Sequence, residues 1–137
     1  MESEVALELK LLGAAVVVGL VQLLWAAGAA RAHQGDLKWA AGPRDTPMPL
    51  GGIAARLERA FWNFAETFPF FAAAVLACAV SGKLGSDLTI WGAWAYVAAR
   101  AIYAPLYALG IPTVRTLVWL VAMIGLGMVL VALFQVS

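Results

Sequence analysis

The chain has 137 residues, nine Lys and Arg against eight Asp and Glu, and a net charge of +1. Hydrophobic residues make up 64% and charged residues 12%, with a mean hydropathy of +0.88, whereas soluble domains are about half apolar and a quarter charged. This composition excludes a soluble globular domain. The near-neutral charge removes the electrostatic case for nucleic acid, and a single cysteine (Cys78) and a single histidine (His33) leave no internal disulfide and no cysteine or histidine metal site.

The first ten residues, MESEVALELK, are acidic ahead of an apolar run. A cleaved secretory signal begins with positive charge, so this segment reads as the start of a retained membrane helix, expected over about residues 5–30. Within it, residues 11–30 contain one polar side chain, Gln22. Twenty residues at 1.5 Å each span about 30 Å, one bilayer core. Arg31 closes this helix. The following stretch, RAHQGDLKWAAGPRDTPMPL, holds three prolines and two glycines and reads as a loop.

A second helix is expected over residues 52–80. Its latter half, residues 68–80, is apolar but too short to span alone, so the helix must include the polar-faced turns before it. SGKLGSD (81–87) is a tight turn, a third helix covers 88–109, and GIPT (110–113) is a second turn. A fourth helix covers 114–135, and residues 117–134 carry no charge. The expectation is an all-α membrane protein: a four-transmembrane-helix up-down bundle forming a single domain over residues 1–137. Arg31, Lys38, Arg44, Arg56, Arg59, Arg100 and Arg115 fall at the end carrying the first and third loops, and only Lys10 and Lys83 at the other. By the positive-inside rule the first and third loops face the cytoplasm and both termini lie opposite.

The second helix opens with a polar stripe. Arg56, Arg59, Asn63 and Glu66 are spaced three, four and three apart, which is one helical face. Arg100, Tyr103 and Tyr107 repeat the pattern on the third helix, and Arg31 and Arg115 lie at the same end of the bundle. Ionisable groups at membrane depth are functional-site candidates. This set offers guanidinium forks for carboxylates, a carboxylate for an ammonium, an amide for a peptide unit, and phenol hydroxyls. A small, zwitterionic, peptide-like ligand with more than one carboxylate matches that inventory, and glutathione is such a molecule. A nearby cation would also favour its thiolate. The same stripe could instead hold helices together. The six tryptophans read as interface anchors and packing, and Gly13, Gly19, Gly125 and Gly127 as points of close helix contact.

RAFWNFAETFP (Arg59, Asn63, Glu66, Phe68, Pro69), RAIYAPLY (Arg100, Tyr103, Tyr107) and GIPTVRTLVW (Arg115) together resemble the MAPEG family, the membrane-associated proteins in eicosanoid and glutathione metabolism, in a bacterial-type form. The resemblance implies a homotrimer of four-helix subunits in the lipid bilayer, with glutathione as co-substrate held between neighbouring subunits and no metal. It implies glutathione contacts from Arg59, Asn63, Glu66, Tyr103 and Tyr107. Arg115 is the candidate to stabilise the thiolate, with Arg31 as rival. Arg56 and Arg100 join the binding set. The implied activity is a transferase or peroxidase acting on a hydrophobic small molecule. The alternatives are a non-catalytic membrane subunit that keeps the fold and, third, a small transporter or channel. The sequence departs from the leukotriene C synthases of that family at Thr67, where they carry tyrosine, at Phe61, where they carry glutamine, and by one residue in the link from Tyr107 to Arg115.

Overall fold

The computed structural model describes residues 4–136. The first three residues of the acidic N-terminal stretch and the last residue of the expected 1–137 domain lie outside the described residues. The elements are α1 (Leu7–Gln34), α2 (Leu37–Ala41), α3 (Gly52–Val80), α4 (Asp87–Ala108) and α5 (Pro112–Phe134). All described regular structure is helical, as a bilayer requires of any segment that must satisfy its backbone internally. α1, α3 and α5 are each long and apolar enough to cross a membrane, and the protein is an all-helical integral membrane protein. α4 is less apolar, because its 22 residues include Arg100 and several Trp and Tyr residues.

Local sequence explains where these boundaries differ from expectation. α1 runs on to Gln34, so Arg31 and His33 occupy its last turn, where cations are favourable against the helix dipole. Gly35, at φ 68°, ends it, with its N–H bonded to the Arg31 carbonyl. The first loop is folded rather than open. Asp36 caps the short helix α2 by accepting from the Trp39 N–H at 2.9 Å. The Trp39 indole donates to the Thr46 carbonyl at 2.6 Å. Arg44 lies over the Trp39 ring at 5.6 Å and donates to the Ala40 carbonyl at 2.9 Å. Pro112, expected in a turn, is the first residue of α5, the helical position that needs no N–H.

Hydrogen bonds between helix ends define the topology. Glu8 of α1 is only 1% exposed, and its Oε2 accepts from the Gly85 N–H at 2.5 Å and the Thr89 hydroxyl at 2.6 Å. The start of α1 therefore lies beside the start of α4, which a Ser86–Thr89 capping box also secures. Arg56 of α3 donates from Nε to the Ala108 carbonyl at 2.9 Å, occupying one of the acceptors a helix end leaves free. The Cys78 thiol, near the end of α3, donates to the Val129 carbonyl of α5 at 3.4 Å. Successive long helices thus run antiparallel. The core between them includes Leu11, Ala15, Phe71, Val75, Tyr96, Ala122 and Val129. Tyr96 stacks on Phe71 at 4.0 Å, and its hydroxyl shares a 2.9 Å hydrogen bond with Thr67.

α4 and α5 meet backbone to backbone at Gly92 and Gly125. A Cβ at Gly125 would stand 2.5 Å from the Gly92 carbonyl oxygen and 2.8 Å from the Tyr96 nitrogen. Gly19 is similarly covered by the Phe64 ring, 2.6 Å from a Cβ there. Within one chain Gly13 and Gly127 make no close helix contact, since a Cβ on either meets nothing within 4 Å. Gly92, which the sequence did not single out, supplies the other half of the crossing. Gly125→Ala is expected to cost about 1–3 kcal/mol by forcing the helices apart, and Gly127→Ala to change stability by less than about 0.5 kcal/mol. Thermal unfolding of the two variants in detergent checks this, and equal melting temperatures would contradict it.

Candidate functional site

The polar residues gather where the start of α3, the end of α4 and the start of α5 meet. On α3, the apolar positions Ala54, Leu57, Ala60 and Phe64 are buried and recur at helical spacing. This sets the rotation of the helix and leaves Arg59, Asn63 and Glu66 on an adjoining face. On α4, Arg100 and Tyr103 are buried and Tyr107 is half-buried. Arg115 lies in the first turns of α5.

These side chains form a continuous series. The Arg115 guanidinium lies 4.2 Å from the centre of the Tyr107 ring. Arg59 donates from Nε to the Tyr107 hydroxyl at 3.2 Å, with its guanidinium 5.8 Å from the same ring. Tyr107 packs edge-on against Tyr103, centroids 5.7 Å apart. The Arg100 guanidinium sits 4.3 Å from the Tyr103 ring and 5.7 Å from Phe64, and its Nη1 donates to the Asn63 Oδ1 at 2.9 Å. Cation–π contacts of this kind strengthen where water is excluded.

Exposure grades along the series. Arg100 is wholly buried and Tyr103 is 4% exposed, whereas Arg59 and Glu66 are exposed and Asn63, Tyr107 and Arg115 lie between. Arg100 Nε and Nη2 have no hydrogen-bond partner among the described residues. Among the described residues no carboxylate pairs with Arg59, Arg100 or Arg115. Three guanidiniums surrounding two tyrosines, open on the α3 side and uncompensated, form an anion-attracting surface whose deepest member is pinned by an amide.

Two arginines lie elsewhere: Arg56, grouped with this set by spacing, and Arg31, grouped with it by its place at the same end of the bundle. Arg56 is occupied by the Ala108 carbonyl at the end of α4. Arg31 lines a separate groove of about 430 Å³ between α1, the first loop and α3, together with Gln34, Trp39, Glu58, Phe61 and Trp62. There it donates to Gln34 Oε1 at 2.8 Å, and Gln34 donates to the Met48 carbonyl at 2.9 Å. The reason is rotational: Glu58 is about 100° round α3 from Arg59, so the groove and the arginine–tyrosine series open on different faces. Within one chain Arg31 does not join Arg59 and Arg115.

Three residues have contacts that the sequence reading did not assign to them. Phe64 flanks Arg100. Trp119, read as an anchor, packs against the cluster containing Ala60 and Tyr103, and its indole nitrogen is buried without a partner among the described residues; its position one turn beyond Arg115 was the available signal. Thr67 reaches Tyr96 across α3 and α4, which only the fold discloses. No group of three or more potential metal ligands occurs among the described residues.

A family model described as the MAPEG family matches residues 10–135, nearly the whole chain. No curated protein matches it.

The Asn63–Arg100 bond yields a stability test. Asn63→Leu leaves a buried guanidinium without the one hydrogen-bond acceptor it has among the described residues and should cost about 2 kcal/mol. Adding Arg100→Met removes the orphaned charge and should recover most of that loss. Thermal unfolding of the single and double variants measures the coupling, and strictly additive effects would show that the two side chains act independently.

Proposed function

The chain belongs to the MAPEG family, and on that footing we propose an integral membrane enzyme that binds glutathione and activates its thiol against a hydrophobic electrophile or a lipid hydroperoxide. The observation that carries this reading is the uncompensated arginine–tyrosine series from buried Arg100 to Arg59 and Arg115. Arg59 is assigned to a ligand carboxylate, Glu66 to the ammonium, Asn63 to a peptide unit, and the Tyr103 and Tyr107 hydroxyls to the remaining polar atoms. Arg100 stands behind them and holds Asn63 in place.

Arg115 is assigned to the thiolate. It lies near the N-terminus of α5, where the helix adds partial positive charge. The thiol proton leaves to water, and the sulfur, held as an anion by the guanidinium, attacks. With an electrophile, a carbon–sulfur bond forms and the leaving group departs. With a hydroperoxide, the O–O bond breaks, one oxygen passes to sulfur and the alkoxide takes a proton. A second glutathione then displaces that oxygen as water, giving the disulfide. Stabilising the charge of the attacking sulfur is the main catalytic contribution.

In this reading α4 spans the bilayer with the other three long helices, the first and third loops lie in the cytoplasm, and the termini lie opposite. The subunits form a homotrimer, in which Arg31 of one copy approaches the arginine–tyrosine series of the next. A non-catalytic member of the family is the second reading. Its support is that Arg56 and Arg100 already serve packing, one capping α4 and the other bonded inside the bundle.

Glutathione at millimolar concentration should raise the melting temperature of the detergent-solubilised protein, and native mass spectrometry should find a trimer. Arg59→Ala should weaken glutathione binding about tenfold or more by calorimetry. Arg115→Ala should leave affinity nearly unchanged and shift the ultraviolet titration of the bound thiolate to higher pH. If Arg31→Ala moves that titration and Arg115→Ala does not, Arg31 is the activating group. Absence of any glutathione effect would favour the non-catalytic member.

A further inference from the structure

Polar pairs join the antiparallel helices α3 and α4 at successive turns. Asn63 accepts from the Arg100 guanidinium at 2.9 Å. One turn further along α3, Thr67 and Tyr96 share a hydrogen bond between hydroxyls at 2.9 Å. The Thr67 hydroxyl also donates to the Phe64 carbonyl of its own helix at 3.2 Å. A hydroxyl has one hydrogen to give, so Tyr96 is the donor between the two. Tyr96 is itself a fixed point: it is 0% exposed and stacks at 4.0 Å on Phe71, which is equally enclosed.

Glu66 lies on the stretch between these two bonds, one residue before Thr67. It is exposed, and among the described residues no hydrogen bond or ion pair holds its carboxylate. Where that carboxylate points therefore depends on the backbone carrying it. Pro69, inside α3, weakens that backbone: it has no N–H for the bond that would close the turn 65–69, and its ring crowds the turn before it. A threonine bonded back to its own helix bends the chain further. A carboxylate on such a turn keeps one direction only if something outside the helix holds the turn. Among the described residues, the bond to Tyr96 is the only side-chain hydrogen bond from residues 65–69 to another helix.

We propose that Thr67 and Tyr96 are positioning residues that brace the Pro69 turn of α3 and so aim Glu66 at the ammonium of the bound ligand. This role rests on the glutathione reading, in which Glu66 takes that ammonium. Neither residue touches the ligand: Tyr96 is enclosed, and the Thr67 hydroxyl is engaged by Tyr96 and the Phe64 carbonyl. If loss of the brace leaves the turn correctly arranged about one-fifth of the time, the apparent dissociation constant rises about fivefold. The rise is confined to ligands that use Glu66. A ligand without the ammonium gains nothing from that carboxylate and loses nothing with it, whereas general loosening of the bundle would weaken every ligand alike.

The test compares two ligands of the full chain in detergent by calorimetry: glutathione, and glutaryl-cysteinylglycine, which keeps the carboxylates, peptide units and thiol but has hydrogen in place of the ammonium. The wild type should bind glutathione more tightly. Tyr96→Phe and Thr67→Val should each weaken glutathione about fivefold and leave the analogue within about twofold. Thr67→Ser, which keeps the hydroxyl, should retain the wild-type preference. Equal loss for both ligands, or undiminished glutathione binding in Tyr96→Phe and Thr67→Val, would overturn the proposal. Amide hydrogen exchange reads the brace without any ligand: residues 66–68 should exchange faster in Tyr96→Phe, with the rest of α3 unchanged. Unchanged exchange there would overturn the brace even where glutathione binds. A wild type that binds neither ligand would refute the glutathione reading and this role with it, a result distinct from a wild type that binds and variants that bind as well.

Discussion

A guanidinium enclosed within a membrane bundle has few ways to be tolerated, and Arg100 is enclosed completely. Its charge is met by the faces of Tyr103 and Phe64 and by the Asn63 amide, not by a carboxylate. That choice fixes much of the rest. The amide must come from α3, so α3 and α4 are locked in one register. The tyrosine must follow three residues later on α4, which carries the next tyrosine, Tyr107, outward to Arg59 and Arg115. A fully compensating acid in place of Asn63 would have closed the series electrostatically. An amide holds the arginine without neutralising it, and the positive potential remains available at the open end.

The two ends of α4 are secured by different chemistry, and the difference suits their positions. At its start the Glu8 carboxylate gathers the Gly85 N–H and the Thr89 hydroxyl, a short, buried arrangement that joins the beginning of the chain to a point about eighty residues later. At its end the long Arg56 side chain reaches to the Ala108 carbonyl. Between them, the Gly92–Gly125 crossing lets α4 and α5 approach until backbone meets backbone. α4 carries the buried arginine and the two tyrosines of the series and is held on three sides, while α1, α3 and α5 are the helices long and apolar enough to cross a bilayer.

The separation of Arg31 from the other arginines follows from helix geometry rather than from distance along the chain. α3 presents Arg59, Asn63 and Glu66 on one face and Glu58, Phe61 and Trp62 on another. Arg31 packs over the second. The proposed trimer answers this division, because a neighbouring copy can bring the second face of one subunit to the first face of another. The folded first loop, organised by Trp39 and Arg44, borders that same groove and would move with it.

The sequence alone determined the membrane character and the four long helices, though not the short α2, because both are written in local properties: long apolar runs, Pro and Gly at the breaks, and charge confined to particular turns. It also determined the family, because Arg59, Asn63, Glu66, Arg100, Tyr103, Tyr107 and Arg115 occupy characteristic spacings on separate helices. Spacing places residues on a face but does not say what that face meets. Only the tertiary structure turned Arg56 into a cap for α4, put Arg31 in its own groove, buried Glu8 against Gly85, and enclosed the Gln22 amide without a hydrogen-bond partner among the described residues. Only it distinguished Gly125, pressed against Gly92, from Gly127, which faces open space. In each case the deciding quantity was the rotation of one helix against another. That rotation is set by the summed packing of side chains distant in sequence, which no local stretch of residues contains.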